Sequence, residues 1–400
     1  MAANTLPIDL HRVLEIGLGG DSFQEFIDHY KEKYDSFEVD GFELEPIKLG
    51  YTYNQLVAST GAKTLPAYVD PESPGYEAAL RSVEGRSGNI PTQKLFYRFN
   101  RVLLREQLQL LQRLGQSAIT PEMEDVFMNL LHESSDGLIQ SNLNALTHQR
   151  HRIVSTGHFV IDLENNPRGL RGIDLDFGIA QDHYDTLTGT ARFWTAEEHT
   201  TSNEGSKSDP VQYFKNKVKE IRRKYHYTGP LGMELAQDLI DDLLTHSKVL
   251  TRIGHSLYPT ITDDATVLAN AQNENDERLL EVFRKLIRVD AIKARDSYAV
   301  ITKPGVDENG DPDLVEATIE NFNPKNVTFL PIGRKIGGIQ GVEPITLGYP
   351  AEDVASFLDG RIKLTQRTKK ETHSIYIESE MAQLCVPYAI RHMFICTVTA

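Results

Sequence analysis

Four hundred residues, 40% of them hydrophobic and 25% charged, can bury a sizeable core, and the length allows two or three domains. A net charge of −15 argues against a protein whose main task is gripping nucleic acid through its phosphates, although it does not exclude a place beside DNA. No apolar run reaches the roughly 18 residues of a membrane span, and the start MAANTLPIDLHRV has no apolar stretch of a secretory signal, so neither is expected.

In chain order, the segment to about Gly20 has weak periodicity. Ser22 then opens a short amphipathic helix with Phe23, Phe26, Ile27, Tyr30 and Tyr34 on one side. Gly17-Leu18-Gly19-Gly20 lacks a preceding strand and a following Lys-Ser/Thr, and reads as a turn rather than a phosphate loop. From Tyr51 to Asn100 the texture changes to strand-like pieces punctuated by Asp70-Pro71, Ser73-Pro74-Gly75, Gly85, Gly88 and Pro91. Leu65 to Val69 and Lys94 to Phe99 are the best strand candidates, and their long link carries Glu72, Glu77, Arg81, Glu84 and Arg86 with few large apolar residues. Such a stretch cannot bury itself, so it is either loose or partnered on another molecule.

Asn100 is positioned to cap a leucine-rich helix that Gly115 stops. Thr120-Pro121 then opens a longer one, with Val126, Leu130, Leu143, Leu146 and Ile153 at helical spacing and Gly157 as the left-handed stop. Unbroken, it is a rod of roughly 50 Å; Ser134-Ser135-Asp136-Gly137 is the place where it could instead divide or bend. Two strands, His158 to Leu163 and Ile173 to Ile179, follow, and then Arg192-Phe193-Trp194 and a polar loop. Asp209-Pro210 caps a helix ending in Arg222-Arg223-Lys224, a run that the helix C-terminus favours on electrostatic grounds. Gly232 to Leu250 reads as another helix. Ser297 to Thr302 and Leu314 to Ile319 bracket a hairpin whose tip holds Asp307, Asn309, Asp311 and Asp313. As a calcium loop it fails at its sixth and twelfth positions, Pro312 and Thr318, and it reads as a solvated turn. Val327 to Pro331, Ser374 to Leu384 and Met393 to Val398 close the chain as strands. Cys385 and Cys396 have no CxxC partner and read as buried small hydrophobes.

The densest acidic cluster, Asp174, Asp176, Asp182, His183 and Asp185, raises the alternative of a soluble metal-dependent enzyme using Asp174, Asp176 and His183. Against it, Asp174 and Asp176 alternate with Ile173, Leu175 and Phe177 as in any half-buried strand. Ser155-Thr156-Gly157-His158 is no nucleophile elbow, and Gly337-Gly338-Ile339-Gln340-Gly341 is no dinucleotide fingerprint. No catalytic, cofactor or metal residues are assigned.

The order of parts resembles the major capsid proteins of tailed bacteriophages with the HK97 fold, specifically the lambda head-protein group. The residues that carry the resemblance are Ala67-Tyr68-Val69-Asp70-Pro71 with Ser73-Pro74-Gly75, Asn89-Ile90-Pro91, and the rod ending Thr156-Gly157. Trp194 followed by Asp209-Pro210, Val327 to Gly333 with Gly337-Gly338, and the end from Leu384 through Pro387 to Val398 complete the set. The resemblance implies an α+β capsid fold: an N-terminal arm over 1–50, an extended E-loop hairpin over 51–100, and a P-domain over 101–208 and 366–400 with a spine helix at about 120–157. A mixed α/β A-domain would take 209–365. It further implies a non-enzymatic homo-oligomer of pentamers and hexamers, forming an icosahedral virion shell around double-stranded DNA after assembly in the host cytoplasm. The partners implied are a separate scaffold protein, a portal and a decoration protein, with no membrane and no cofactor. An encapsulin-like cellular shell is the alternative within the same fold. Lys63, Arg81 and Arg86 with Glu72, Glu77 and Glu84 are the candidate inter-subunit salt bridges. Relatives that weld subunits through a Lys to Asn bond do so near the C-terminal part of the P-domain. This chain has no Asn after Asn326, so non-covalent shells are expected.

Overall fold

The computed structural model describes residues 30–58, 83–100, 121–194, 208–306, 312–333, 335–344, 352–369 and 374–399, apart from positions 32, 168 and 170. The axis of the molecule is one unbroken helix, α1 (Pro121–Thr156), of 36 residues, about 54 Å at the usual rise. Ser134 to Gly137 lies inside it without a break. Leu138, Ile139, Leu143, Leu146, Ile153 and Val154 are buried along its second half. Its end is fixed twice. Gly157 takes the left-handed φ of 78° that a side chain would resist, and its N–H donates to the Ile153 carbonyl at 2.8 Å.

Against α1 lies a six-stranded sheet made of β1 (Phe42–Leu44), β4 (Gln93–Asn100), β13 (Gly337–Val342), β14 (Glu352–Phe357), β15 (Ile362–Lys369) and β16 (Ser374–Pro387). β16 is its spine: residues 374–381 pair with β4 and β15, and residues 382–387 with β13. Cys385 on β16 is buried and free, and burial pushes its thiol up to about 12.

The second sheet has the order β7 (Tyr184–Thr186), β17 (Phe394–Thr397), β12 (Asn326–Pro331), β8 (Leu231–Ala236) and β9 (Ala291–Arg295). Every residue of β8 and β12 is buried. The covering helices are α2 (Pro210–Lys224), α3 (Gln237–Thr245), α4 (Ser247–Leu257), α5 (Asp264–Gln272) and α6 (Asp276–Ile287). Asp209 caps α2 as expected, accepting from the Gln212 N–H. Phe214 at its centre meets Phe193, Phe283 and Phe329 edge-on at 5.2 to 6.2 Å, and Trp194 is fully buried beside Phe193. The two layers are joined where Asn326 Nδ2 and Thr328 Oγ1 of β12 donate to the Ser155 and Val154 carbonyls, at 2.7 and 2.9 Å. These carbonyls belong to the last turn of α1, which has no helical donors left for them.

Several expectations are corrected. Gly232 to Leu250 is not one helix: its first residues are the buried strand β8, and only then do α3 and α4 begin. The hairpin over 51–100 has its described stem outside the two strand candidates read from the sequence. Its stem is β2 (Thr52–Ala58) against β3 (Val83–Asn89), and Lys94–Phe99 lies in β4, paired to β16. The leucine-rich helix after Asn100, the strand at 65–69 and the arm before residue 30 lie outside the described residues. β5 (His158–Ile161) and β6 (Ile173–Asp176) pair as expected, as do β10 (Tyr298–Val306) and β11 (Pro312–Glu320). Strand pairing also cuts across the implied domain boundaries. β13 and β14 join the sheet on α1, whereas β17 sits in the sheet under the helices.

Candidate assembly surfaces

The stem of the β2–β3 hairpin is held to the body at its root. Along β2, Tyr53 and Gln55 point inward and are buried, while Leu56 is 69% exposed. The Tyr53 ring packs on Phe177 with centroids 5.9 Å apart and lies over Gly88, where an added Cβ would sit 2.7 Å from the ring. Gln55 Nε2 donates to the Pro387 carbonyl at 2.5 Å. The side chain of Gln340 on β13 then imitates a neighbouring strand. Its Oε1 accepts the Asn54 N–H at 2.9 Å, and its Nε2 donates to the Asn54 carbonyl at 2.6 Å. Lys48 Nζ shares the same Oε1, and the same Nε2 also reaches the Tyr388 hydroxyl, both at 2.5 Å. Two strands alone are marginal in water, so this root supplies what the stem lacks.

Of the charged residues expected to bridge subunits, Lys63, Glu72, Glu77 and Arg81 lie outside the described residues. Glu84 lies on β3 opposite Val57, and its side chain lies outside them too. Arg86 is placed on its own chain: its guanidinium covers Gly178 and stands 3.6 Å from Asp176.

Beside α1, the start of β4, strand β5 and the β10–β11 ribbon enclose a groove of about 680 Å³, lined by Ala145, His148, Phe159, Ile161, Tyr298 and Val300 among others. The ribbon pairs with no other strand among the described residues and leaves Tyr298, Val300, Val306 and Val315 exposed. β4 adds Leu95, Phe96 and Tyr97, each more than 40% exposed. Unpaired edges and contiguous apolar side chains of this kind mark surfaces that expect a partner.

Sequence reasoning missed a buried ionic network behind these surfaces. Arg150 on α1 is 1% exposed and grips Glu234 of β8 with both terminal nitrogens, at 2.6 and 2.7 Å. Arg295 of β9 donates to both Glu234 oxygens, at 2.7 and 3.0 Å, and to Asp40 at 2.5 Å, while Lys293 reaches Asp40 at 2.8 Å. Burial by itself would raise the Glu234 carboxyl, but the two guanidiniums outweigh it and hold it down at about 2. Asp40 is likewise held well below the usual carboxylate range. The network ties the helix, the second sheet and the segment leading from the arm. Its members are scattered from position 40 to 295, and no local spacing announces it.

The structure does not bring Asp174, Asp176 and His183 together. Asp174 and Asp176 are exposed on β6, and the histidine beside them is His158, 3.1 Å from Asp174 and 3.8 Å from Asp176. His183 lies elsewhere, stacked on Phe394 at 4.3 Å and hydrogen-bonded to the Met393 carbonyl. Asp182 binds the Tyr225 hydroxyl and Asp185 accepts from Lys217. Among the described residues no group of three or more His, Cys, Asp or Glu could hold a metal ion. Asp307, Asn309 and Asp311 lie outside them.

No family model and no curated protein matches the chain. Among solved structures it is similar to a phage-related protein from Bordetella bronchiseptica RB50, at 12% identity and a TM-score of 0.44, covering 96% of this chain and 95% of that one. It is similar to a candidate prophage capsid protein of E. coli CFT073, at 9% identity and a TM-score of 0.42, covering 97% and 98%. The procapsid of satellite phage P4 including its size determination (Sid) protein gives 7% identity and a TM-score of 0.41, covering 94% and 99%. No helix among the described residues is long and apolar enough to cross a membrane.

Proposed function

We propose that the chain is a major capsid subunit of the HK97 class, which self-assembles into pentamers and hexamers of an icosahedral shell around double-stranded DNA. The observation that supports this reading is the pairing of two unsatisfied surfaces on one chain: a hairpin stem anchored at its root with Leu56 outward, and an apolar groove beside a 36-residue helix. A hairpin that cannot bury itself is stabilised when laid over a neighbour's helix and groove. Because the two surfaces differ, the contact is head-to-tail, the kind that generates rings when its rotation closes.

In this reading α1 with the six-stranded sheet is the P-domain, and the five-stranded sheet with α2 to α6 is the A-domain. Lys63, Arg81 and the hairpin glutamates would add salt bridges worth about 0 to 1 kcal/mol each when exposed, with Arg86 held on its own chain by Asp176, so burial supplies most of the affinity. The shell resides in the virion and forms in the host cytoplasm, with a scaffold, a portal and a decoration protein as partners. Negative-stain microscopy of the expressed chain, with and without candidate scaffold proteins, tests the reading. Closed shells are expected, and monodisperse monomers under every condition would overturn it. Nucleic acid inside purified shells separates it from an encapsulin-like shell with protein cargo.

A further inference from the structure

On a chain of net charge −15, the outer face of α2 is cationic. Lys215, Lys219, Arg222 and Arg223 recur at one-turn spacing and are exposed. Lys215 and Arg223 are about 12 Å apart along the axis. Lys217 and Lys224, on the flanks, are neutralised by Asp185, Glu220 and Asp182 at 3.2 to 3.7 Å. Lys215, Lys219 and Arg223, in contrast, form no ion pair or side-chain hydrogen bond among the described residues. The helix macrodipole accounts for Arg222 and Arg223 in the last turn but gives no reason for Lys215 and Lys219, two and one turns earlier.

At the C-terminal end of the stripe, α6 adds more positive charge. The Asp290 carboxylate, 3.7 Å from Arg222, is the acid at that junction. Arg284 donates to the Asp290 backbone carbonyl, and the exposed Arg288 stands two residues away. None of the exposed large hydrophobic side chains lies between residues 208 and 290. Protein interfaces draw most of their binding energy from a few buried aromatic or arginine anchors, and this face offers no exposed large apolar side chain to start one. A nucleic acid backbone needs only an array of cations facing its regularly spaced phosphates.

We propose that the outer face of α2, extended by Arg284 and Arg288, is the surface on which this subunit contacts the phosphate backbone of DNA. The proposal rests on the shell reading for its biological setting, but the binding itself belongs to the chain. It is sequence-independent and electrostatic, and it concentrates on one face the positive charge that the whole molecule lacks.

The test is fluorescence anisotropy of a labelled duplex of arbitrary sequence with the full chain, between about 50 and 200 mM salt. Lys215→Gln, Lys219→Gln and Arg223→Gln together should lower the log–log salt slope by about 0.9 for each phosphate that the variant no longer neutralises. Lys363→Gln on β15, a lysine paired to Glu343 at 3.1 Å, should leave the slope unchanged, and circular dichroism melts should show the triple variant folded. An unchanged slope in the folded triple variant overturns the proposal. So does binding to poly-glutamate that equals duplex binding and falls with the same substitutions, which would make the partner an acidic protein. Microscopy of the same variants keeps the two readings apart: shells with unchanged DNA binding sink only this surface, whereas wild-type chain that never forms shells sinks the capsid reading.

Discussion

Arg150, 1% exposed, is the most deeply buried cation among the described residues. Its guanidinium is removed from water, and the desolvation is offset only because Glu234 meets it with two aligned bonds while Asp40 supplies a carbonyl and a carboxylate. Arg150→Met should therefore cost about 3 to 5 kcal/mol in urea unfolding, because Glu234 would stay buried with Arg295 as its remaining cation. Arg150→Lys should recover only part of this, since a point charge cannot fork across both oxygens. A loss below about 1 kcal/mol for Arg150→Met would contradict the network's role.

Two buried histidines act in the opposite sense. Burial and nearby cations hold His151 and His246 at about 4, from an ordinary value of 6.5. His246 stands edge-on to Trp194 at 5.4 Å, with Lys248 and Asp209 as its nearest charges. Between pH 6.5 and 4 the unfolded chain binds protons that the folded chain refuses, so stability is full above 6.5 and falls as pH drops toward 4. His246→Leu should flatten that fall, read as the difference in Tm between neutral and mildly acid buffer. An unchanged difference would remove His246 from the account.

At the scale of elements, Gln340 governs the hairpin stem by standing in for a strand. Gln340→Leu would leave the Asn54 N–H and carbonyl without that partner, a local cost of about 1 to 3 kcal/mol. Hydrogen exchange should then accelerate across Thr52–Ala58 while β16 and β12 keep their protection, and an equal rise everywhere would count against a local hinge. Some of this architecture was legible in the sequence. The long helix announced itself through leucine spacing, Pro121 and Gly157, and Asp209-Pro210 marked the start of α2. β8 was not legible, because Leu231-Gly-Met-Glu-Leu-Ala236 is rich in helix formers and its strand state is imposed by burial on both faces and by the pairing of Glu234. The partner of β4 was not legible either. Alternation shows that a segment is a strand, but nothing local links Gln93–Asn100 to Ser374–Met381, nearly 300 residues away. The candidate surfaces followed the same division: the unsupported hairpin was visible as composition, while the groove and the ionic network exist only once distant elements meet.

Under the proposed shell reading, folding and association of the molecule are separable. The two sheets and α1 share a continuous core, and among the described residues the β2–β3 stem contributes Tyr53 to it. Leu56, 69% exposed on the stem, adds apolar surface that the core does not use. Leu56→Asp should consequently change the stability of the isolated chain by no more than about 0.5 kcal/mol. In the proposed shell the same change would place an unpaired carboxylate in an interface that needs on the order of 800 Å² of well-packed surface per partner, and shell yield should collapse. Each subunit's charge of −15 also opposes association, so raising salt, which shortens the Debye length, should promote assembly of the wild-type chain. Salt should not rescue Leu56→Asp, because desolvation of a carboxylate is not relieved by screening. Sedimentation of both proteins across a salt series, alongside their urea curves, checks the whole pattern. Normal shells from Leu56→Asp would show that the stem is not a subunit contact, and a destabilised monomer would show that it belongs to the core.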